Sequence, residues 1–231
     1  MEKEVRNYEI ELRADTEKGI IEGYALNFNT LSKDLGGFVE EILPSALNGV
    51  LDRSDVLAVL NHNENKGVFA RSRYGKGSLH LENDDKGLRY WWKVGKTALH
   101  QELNELIERG DIFSSSFAFT VKDGGDTWEN IGNNIYKRTI TQFDELFDVS
   151  PVYRPAYEST SVGRRSLDMV EKLKAEDLLK EQEQLKKKEE ENRIAEEMKL
   201  QEQQEQDKIE KAKNLESYFK SLDDKINKIK K

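Results

Sequence analysis

The stretch Arg109-Gly-Asp-Ile-Phe-Ser-Ser-Ser-Phe-Ala-Phe119 decides how the chain is read. Upstream, Thr97–Arg109 carries Leu99, Leu103, Leu106 and Ile107 at the i, i+4, i+7, i+8 spacing of one helical face. Gly110 stops that helix. Downstream, Ser115–Lys122 reads as an apolar strand. Three consecutive serines therefore sit where a helix gives way to a buried strand, an unfavourable place for so much hydroxyl unless one of them is used.

Composition splits the chain in two. All three Trp and all three Pro lie before residue 160, whereas 167–231 has neither Gly nor Pro and consists almost entirely of Glu, Lys, Gln, Leu, Ile and Asn. The expected organisation is a folded domain over 1–157, a linker over 158–166 and a charged helical tail over 167–231. In the tail, Leu215, Phe219, Leu222, Ile226 and Ile229 recur at 4, 3, 4, 3, a heptad seam. Residues 180–208 are poor in apolar side chains and read as a solvated or partly disordered segment.

The absence of cysteine excludes disulfides, thiol catalysis and thiolate metal sites, and fits a reducing compartment. A net charge of −8 argues against a nucleic-acid partner, because neutralising phosphates needs a basic face. No apolar run of membrane-span length and no signal peptide is read in the sequence. No cofactor or nucleotide motif is present, and no HxH or HExxH spacing points to a metal.

Working outward through the domain, Tyr8–Ala14 alternates as a strand, turns at Thr16–Gly19 and returns over Ile20–Phe28 as a hairpin. Pro44-Ser-Ala-Leu opens a short helix. Val56–Leu60 is a buried strand that delivers Asn61-His62-Asn63. Short strands follow at Val68–Ala70, Leu79–Glu82 and Gly87–Val94. Beyond the serines, Asp123–Asp126 turns the chain, Ile135–Phe143 returns, and Leu146–Val152 ends before Arg154-Pro-Ala. Many short strands with one or two helices give an α+β or mainly β, barrel-like domain.

A hydroxyl nucleophile needs a base, and the base an orienting group. The histidines are His62, His80 and His100. His62 ends a buried strand and projects toward a cleft; its plain alternative is a polar loop residue. His80 alternates outward on a strand, and His100 lies beside the apolar helical face as a structural residue. Strand alternation gives Ser114 and Ser116 one face and turns Ser115 to the other. For the serines the plain alternative is a polar strand edge.

Six segments in order resemble the prohead serine protease family of tailed bacteriophages. They are Glu40-Glu-Ile-Leu-Pro-Ser-Ala46, Asn61-His62, Asp85-Lys-Gly-Leu88, Gly110-Asp-Ile112 with Ser116-Phe-Ala-Phe119, Phe147-Asp-Val-Ser-Pro-Val152, and Pro155-Ala156. Ala118 stands where the family has Gly. The resemblance implies a herpesvirus-assemblin-like fold, a small mainly antiparallel β-barrel with flanking helices. It also implies Ser116 as nucleophile, with Ser114 as competitor, and His62 as base. Asp148 matches the acidic member, with Glu145 and Asp144 as neighbours in contention. Arg154 is an expected helper of the oxyanion.

The activity so implied is an endopeptidase that cleaves procapsid scaffold, capsid protein and itself, within the assembling procapsid in the host cytoplasm. The major capsid protein and scaffold are the implied partners. The tail, which resembles scaffold segments, is expected to self-associate, and 157–166 to hold a self-cleavage site. Two competing readings are an inactive assembly protein acting through its tail, and a binding module using Tyr90, Trp91 and Trp92. The alternation of those aromatics within one strand favours a split between core and surface instead.

Overall fold

The structure is a computed structural model that describes residues 2–8, 12–153 and 164–229, with backbone alone at residue 8 and over 221–229. The chain divides into two units, Met1–Leu173 and Lys174–Lys231.

The first unit is a sheet-rich α+β body. Its strands are β1 (Glu4–Tyr8), β2 (Leu12–Asp15), β3 (Ile20–Asn27), β4 (Phe38–Ile42), β5 (Asp55–Val59), β6 (Val68–Arg73), β7 (Lys76–Gly77), β8 (His80–Asn83), β9 (Gly87–Lys93), β10 (Ser114–Val121), β11 (Asp126–Gly132), β12 (Ile135–Ile140) and β13 (Phe143–Val152). Helix α1 spans Ala98–Glu108 between β9 and β10, and α2 spans Arg164–Ile229. Pro44–Leu47 forms a 3₁₀ turn where a short helix was expected to start.

Three sheets are present. The largest runs β1-β10-β13-β5-β6-β7, with β13 and β5 parallel and the other neighbours antiparallel. The second runs β2-β3-β9-β8, and the third β11-β12-β4 with β12 and β4 parallel. Among the described residues no ladder joins the two edges of any sheet, so the closed barrel expected from the sequence is not found. The β7 edge has two residues and little ladder to offer. There the backbones approach so closely that a Cβ on Gly77 would lie 2.0 Å from the carbonyl oxygen of Arg71.

Leu12–Asp15, the described end of the strand expected over Tyr8–Ala14, pairs with β3 as a hairpin, whereas residues 9–11 lie outside the described residues. In contrast, Glu4–Tyr8 was not anticipated as a strand. Its inward positions are charged, Glu4 and Arg6, so it carries no apolar alternation. β11 was missed for a related reason: its sequence, Asp-Thr-Trp-Glu-Asn-Ile-Gly, is mostly exposed and owes its form to pairing with β12.

The core takes Ile21 and Ala25 from β3, Tyr90 and Trp92 from β9, Phe117 and Phe119 from β10, Phe143 and Val149 from β13, and Leu103 and Ile107 from α1. Burying each large side chain contributes about 1.5–3 kcal/mol. Trp91, between Tyr90 and Trp92, is half-buried and stacks on exposed His80, ring centroids 5.0 Å apart. The three aromatics are therefore divided between core and surface. Helix α1 begins at Thr97, whose hydroxyl accepts the His100 N–H, and ends at Gly110 with φ +78°. A smaller cluster joins Phe38, Tyr136 and Val170, so the first turns of α2 close over the third sheet.

Between the first and third sheets lies a buried ionic network. Arg6 pairs with Glu40 through two bonds of 2.8 and 2.9 Å and with Glu4 at 2.6 Å. Arg138 reaches Glu4 at 2.7 Å, Glu40 at 2.9 Å and Asp126 at 2.7 Å. Glu4, Arg6, Glu40 and Arg138 are desolvated but each is multiply paired, which is the condition under which burial of ions is tolerated. The network ties β1 to β4, β11 and β12.

In the second unit α2 continues as helix, and its apolar side chains, among them Leu178, Leu185, Met198, Leu215 and Phe219, are exposed. Leu222, Ile226 and Ile229 of the heptad seam lie outside the described side chains. Of the expected linker 158–166, residues 158–163 lie outside the described residues and Arg164–Ser166 are the first residues of α2.

Candidate active site

β5 and β13 run parallel, with Leu57 opposite Asp148 and Ala58 opposite Val149. At the end of β5 the chain leaves the sheet through Asn61 and His62, both left-handed, with φ of 51° and 55°. That conformation costs a non-glycine residue on the order of 1–2 kcal/mol and persists only where surroundings dictate it. Here the Asn61 N–H donates to the Pro151 carbonyl at 3.0 Å, and the Asn61 side-chain oxygen accepts the Tyr153 N–H at 3.1 Å. These bonds to β13 and Tyr153 turn the His62 ring toward β10.

On β10 and β13 the facing pairs are Ser116–Ser150 and Ala118–Asp148. His62 spans the two strands. Its Nδ1 lies 2.5 Å from Asp148 Oδ1 and its Nε2 lies 2.5 Å from Ser116 Oγ. With the proton on Nδ1, the ring donates to the carboxylate and leaves Nε2 free to accept the Ser116 hydroxyl. The structure thus brings the three sequence-predicted residues into one hydrogen-bonded chain. Ser116 and Asp148 are buried, and His62 is half-buried.

The competitors are placed elsewhere. Ser115 turns to the opposite face and bonds the Tyr90 hydroxyl at 2.7 Å. Ser114 shares the Ser116 face by alternation, but its buried hydroxyl has no hydrogen-bond partner among the described residues. Among the described residues the ring partners of His62 are Ser116, Asp148 and Ser150; Asp144 and Glu145 are not among them. His100 accepts the Gly95 N–H at 2.8 Å and packs edge-on against Phe69, and partial burial lowers its pKa. Arg154 lies outside the described residues.

Three neighbours of the chain were not read from the sequence. The Ser150 hydroxyl donates to Asp148 Oδ1 at 2.8 Å. Its i+2 spacing from Asp148 on one strand was a usable signal. The Lys3 ammonium lies 3.3 Å from Asp148 Oδ2, and the Arg6 carbonyl accepts from Ser116 Oγ at 2.9 Å. Both belong to the N-terminal segment more than a hundred residues away, and no local pattern announces them. Burial alone would push the Asp148 carboxyl up. The bond and charge of His62, the Ser150 hydroxyl and Lys3 outweigh it and hold the group below the ordinary carboxylate range.

Such an arrangement can move a proton from a serine hydroxyl to an imidazole whose orientation is held by a carboxylate. Among the described residues no group of three or more His, Cys, Asp or Glu is placed to hold a metal ion. No helix among them is long and apolar enough to cross a membrane.

No curated protein and no solved structure matches the chain. The family model for the caudovirus prohead serine protease matches residues 6–174, a span that contains β2 to β13, His62, Ser116 and Asp148. The chain belongs to the caudovirus prohead serine protease family.

Proposed function

We propose that the chain is a serine endopeptidase of procapsid maturation in which Ser116 is the nucleophile, His62 the general base and Asp148 the orienting acid. The observation that carries the assignment is the continuous chain Asp148 Oδ1–His62–Ser116 Oγ, with both links at 2.5 Å. The protease role itself rests on family membership.

In the reaction the Ser116 proton passes to His62 Nε2 as Oγ forms a bond to the scissile carbonyl carbon. The carbonyl π electrons become the oxyanion. The imidazolium so formed is stabilised by Asp148. His62 then returns the proton to the departing amine as the C–N bond breaks, leaving an acyl-serine that water hydrolyses by the same route. Until substrate arrives, the hydroxyl has two acceptors, His62 and the Arg6 carbonyl, for its single proton. Because Ser116 is buried, substrate entry requires local opening over β10.

The substrates we infer are scaffold and capsid protein of the procapsid, and the chain itself, cleaved inside the shell after assembly in the host cytoplasm. The organisation we infer is a protease domain over 1–157, a linker over 158–166 and a tail over 167–231. The tail self-associates or recruits the enzyme to scaffold. Its exposed Leu178, Leu185, Leu215 and Phe219 support that role.

Intact-mass analysis of wild type and Ser116→Ala, each incubated with the cognate capsid protein and assembled shells, tests the reading. Shortened products with wild type alone support it. Identical masses in both samples would sink it, in favour of a structural assembly role. Labelling of Ser114 in place of Ser116 by a fluorophosphonate would move the nucleophile.

A further inference from the structure

The N-terminal segment carries a charge to the one oxygen of Asp148 that the histidine does not use. Asp148 Oδ1 receives His62 and the Ser150 hydroxyl. Asp148 Oδ2 receives the Lys3 ammonium at 3.3 Å. The ammonium also sits 5.0 Å from the centre of the Phe147 ring, a cation–π contact that limits where it can go. Behind Lys3 the backbone is held by the β1–β10 ladder and by the buried network of Glu4 and Arg6. A flexible surface lysine is thereby given a defined place. Lys3 precedes residue 6, where the family match begins.

We propose that Lys3 is a positioning residue that acts through Asp148 to set the acidic limit of activity. This rests on the assignment of Ser116, His62 and Asp148 given above. A carboxylate paired on one side with a cation offers less negative potential to the imidazole on its other side. Lys3 thereby weakens the pull of Asp148 on an imidazolium, and its removal strengthens that pull. The other groups that meet the pair are neutral or already engaged. β10 brings the Ser116 hydroxyl, β13 brings the Ser150 hydroxyl, and the Arg6 guanidinium is turned into Glu4 and Glu40. Among the described residues Lys3 is the one lysine or arginine that pairs with Asp148. Its side chain is 42% exposed, so solvent and salt screen its effect, which is correspondingly modest.

The test is the pH dependence of Ser116 phosphonylation by a fluorophosphonate, read by intact mass on the full chain, for wild type, Lys3→Met and Lys3→Arg. In Lys3→Met the acidic limb should move to higher pH by several tenths of a unit, while Lys3→Arg should keep the wild-type limb. Raising salt from about 50 mM to about 1 M should move the wild-type limb the same way and leave that of Lys3→Met in place. An unmoved limb in Lys3→Met overturns the proposal. So does a rate that falls equally at every pH with a lower Tm, since that is the signature of a docking role alone. Labelling that survives in Ser116→Ala, or a His62→Ala profile identical to wild type, would instead overturn the catalytic assignment.

Discussion

Ser115 and Ser116 are consecutive on β10, yet their hydroxyls serve opposite faces of the sheet: Ser115 bonds Tyr90 in the core, and Ser116 bonds His62 in the candidate active site. The period-2 geometry of a strand produces this division. One hydroxyl fixes the second sheet to the first, and its neighbour carries the proposed chemistry.

Tyr90→Phe removes the partner of a fully buried serine. The orphaned Ser115 hydroxyl should cost about 1–3 kcal/mol, seen as a lower midpoint in urea unfolding. Phosphonylation of Ser116, corrected for the folded fraction, should stay within a few-fold of wild type. A stability unchanged from wild type would show that the Tyr90–Ser115 bond is not formed.

Asp148→Asn keeps the shape of the side chain but removes the charge that favours the Nδ1-protonated ring and its imidazolium form. Proteolysis should fall by on the order of 10⁴-fold. Ser150→Ala deletes one bond to the same carboxylate while leaving its charge, and the loss should be far smaller. The comparison is made on kcat/KM with a peptide substrate. Equal losses in the two variants would mean that the acid works by packing and not by charge.

Arg138→Met leaves Glu4, Glu40 and Asp126 without a common partner in a desolvated setting. Breaking a buried ionic network from one side costs about 3–5 kcal/mol. For a body of this size that is roughly 10 °C in Tm by calorimetry. A Tm within about a degree of wild type would argue that water reaches the network.

The pH dependence of stability follows from the same network. Burial alone would raise the Glu4 carboxyl above its ordinary value of 4.5, but Arg138 and Arg6 bring it below. A carboxyl whose folded value is depressed contributes stability that is full above its unfolded value and is lost as pH falls through its folded value. Asp148, also held low, behaves likewise. Tm should therefore be nearly flat above about pH 5 and fall steeply below 4.5. Glu4→Gln should flatten that acid slope. A slope identical to wild type would exclude Glu4 as its source.

Much of the candidate site was legible before any coordinates. His62 ends an apolar strand, and the three serines follow a helix stop; both are local patterns that hydrophobic periodicity exposes. The choice of Ser116 over Ser114, and of Asp148 over Glu145, came from the ordered resemblance to the prohead proteases. The returning strand of the hairpin, the α1 face and the split of Tyr90, Trp91 and Trp92 between core and surface were readable because their burial alternates with the period of their own element. β1 and β11 were not, because one buries charge and the other buries almost nothing.

What the sequence determined by itself is the set of elements whose apolar side chains announce them, and the break between a mixed domain and a charged helix. Tertiary structure alone decided the strand order of the three sheets and that Glu4, Arg6, Glu40 and Arg138 share one buried network. It also decided that Lys3 and the Arg6 carbonyl stand beside Asp148 and Ser116. These are contacts between charged or polar groups far apart in the chain. Their energy depends on mutual distance and shared desolvation, quantities that exist only once the strands are side by side.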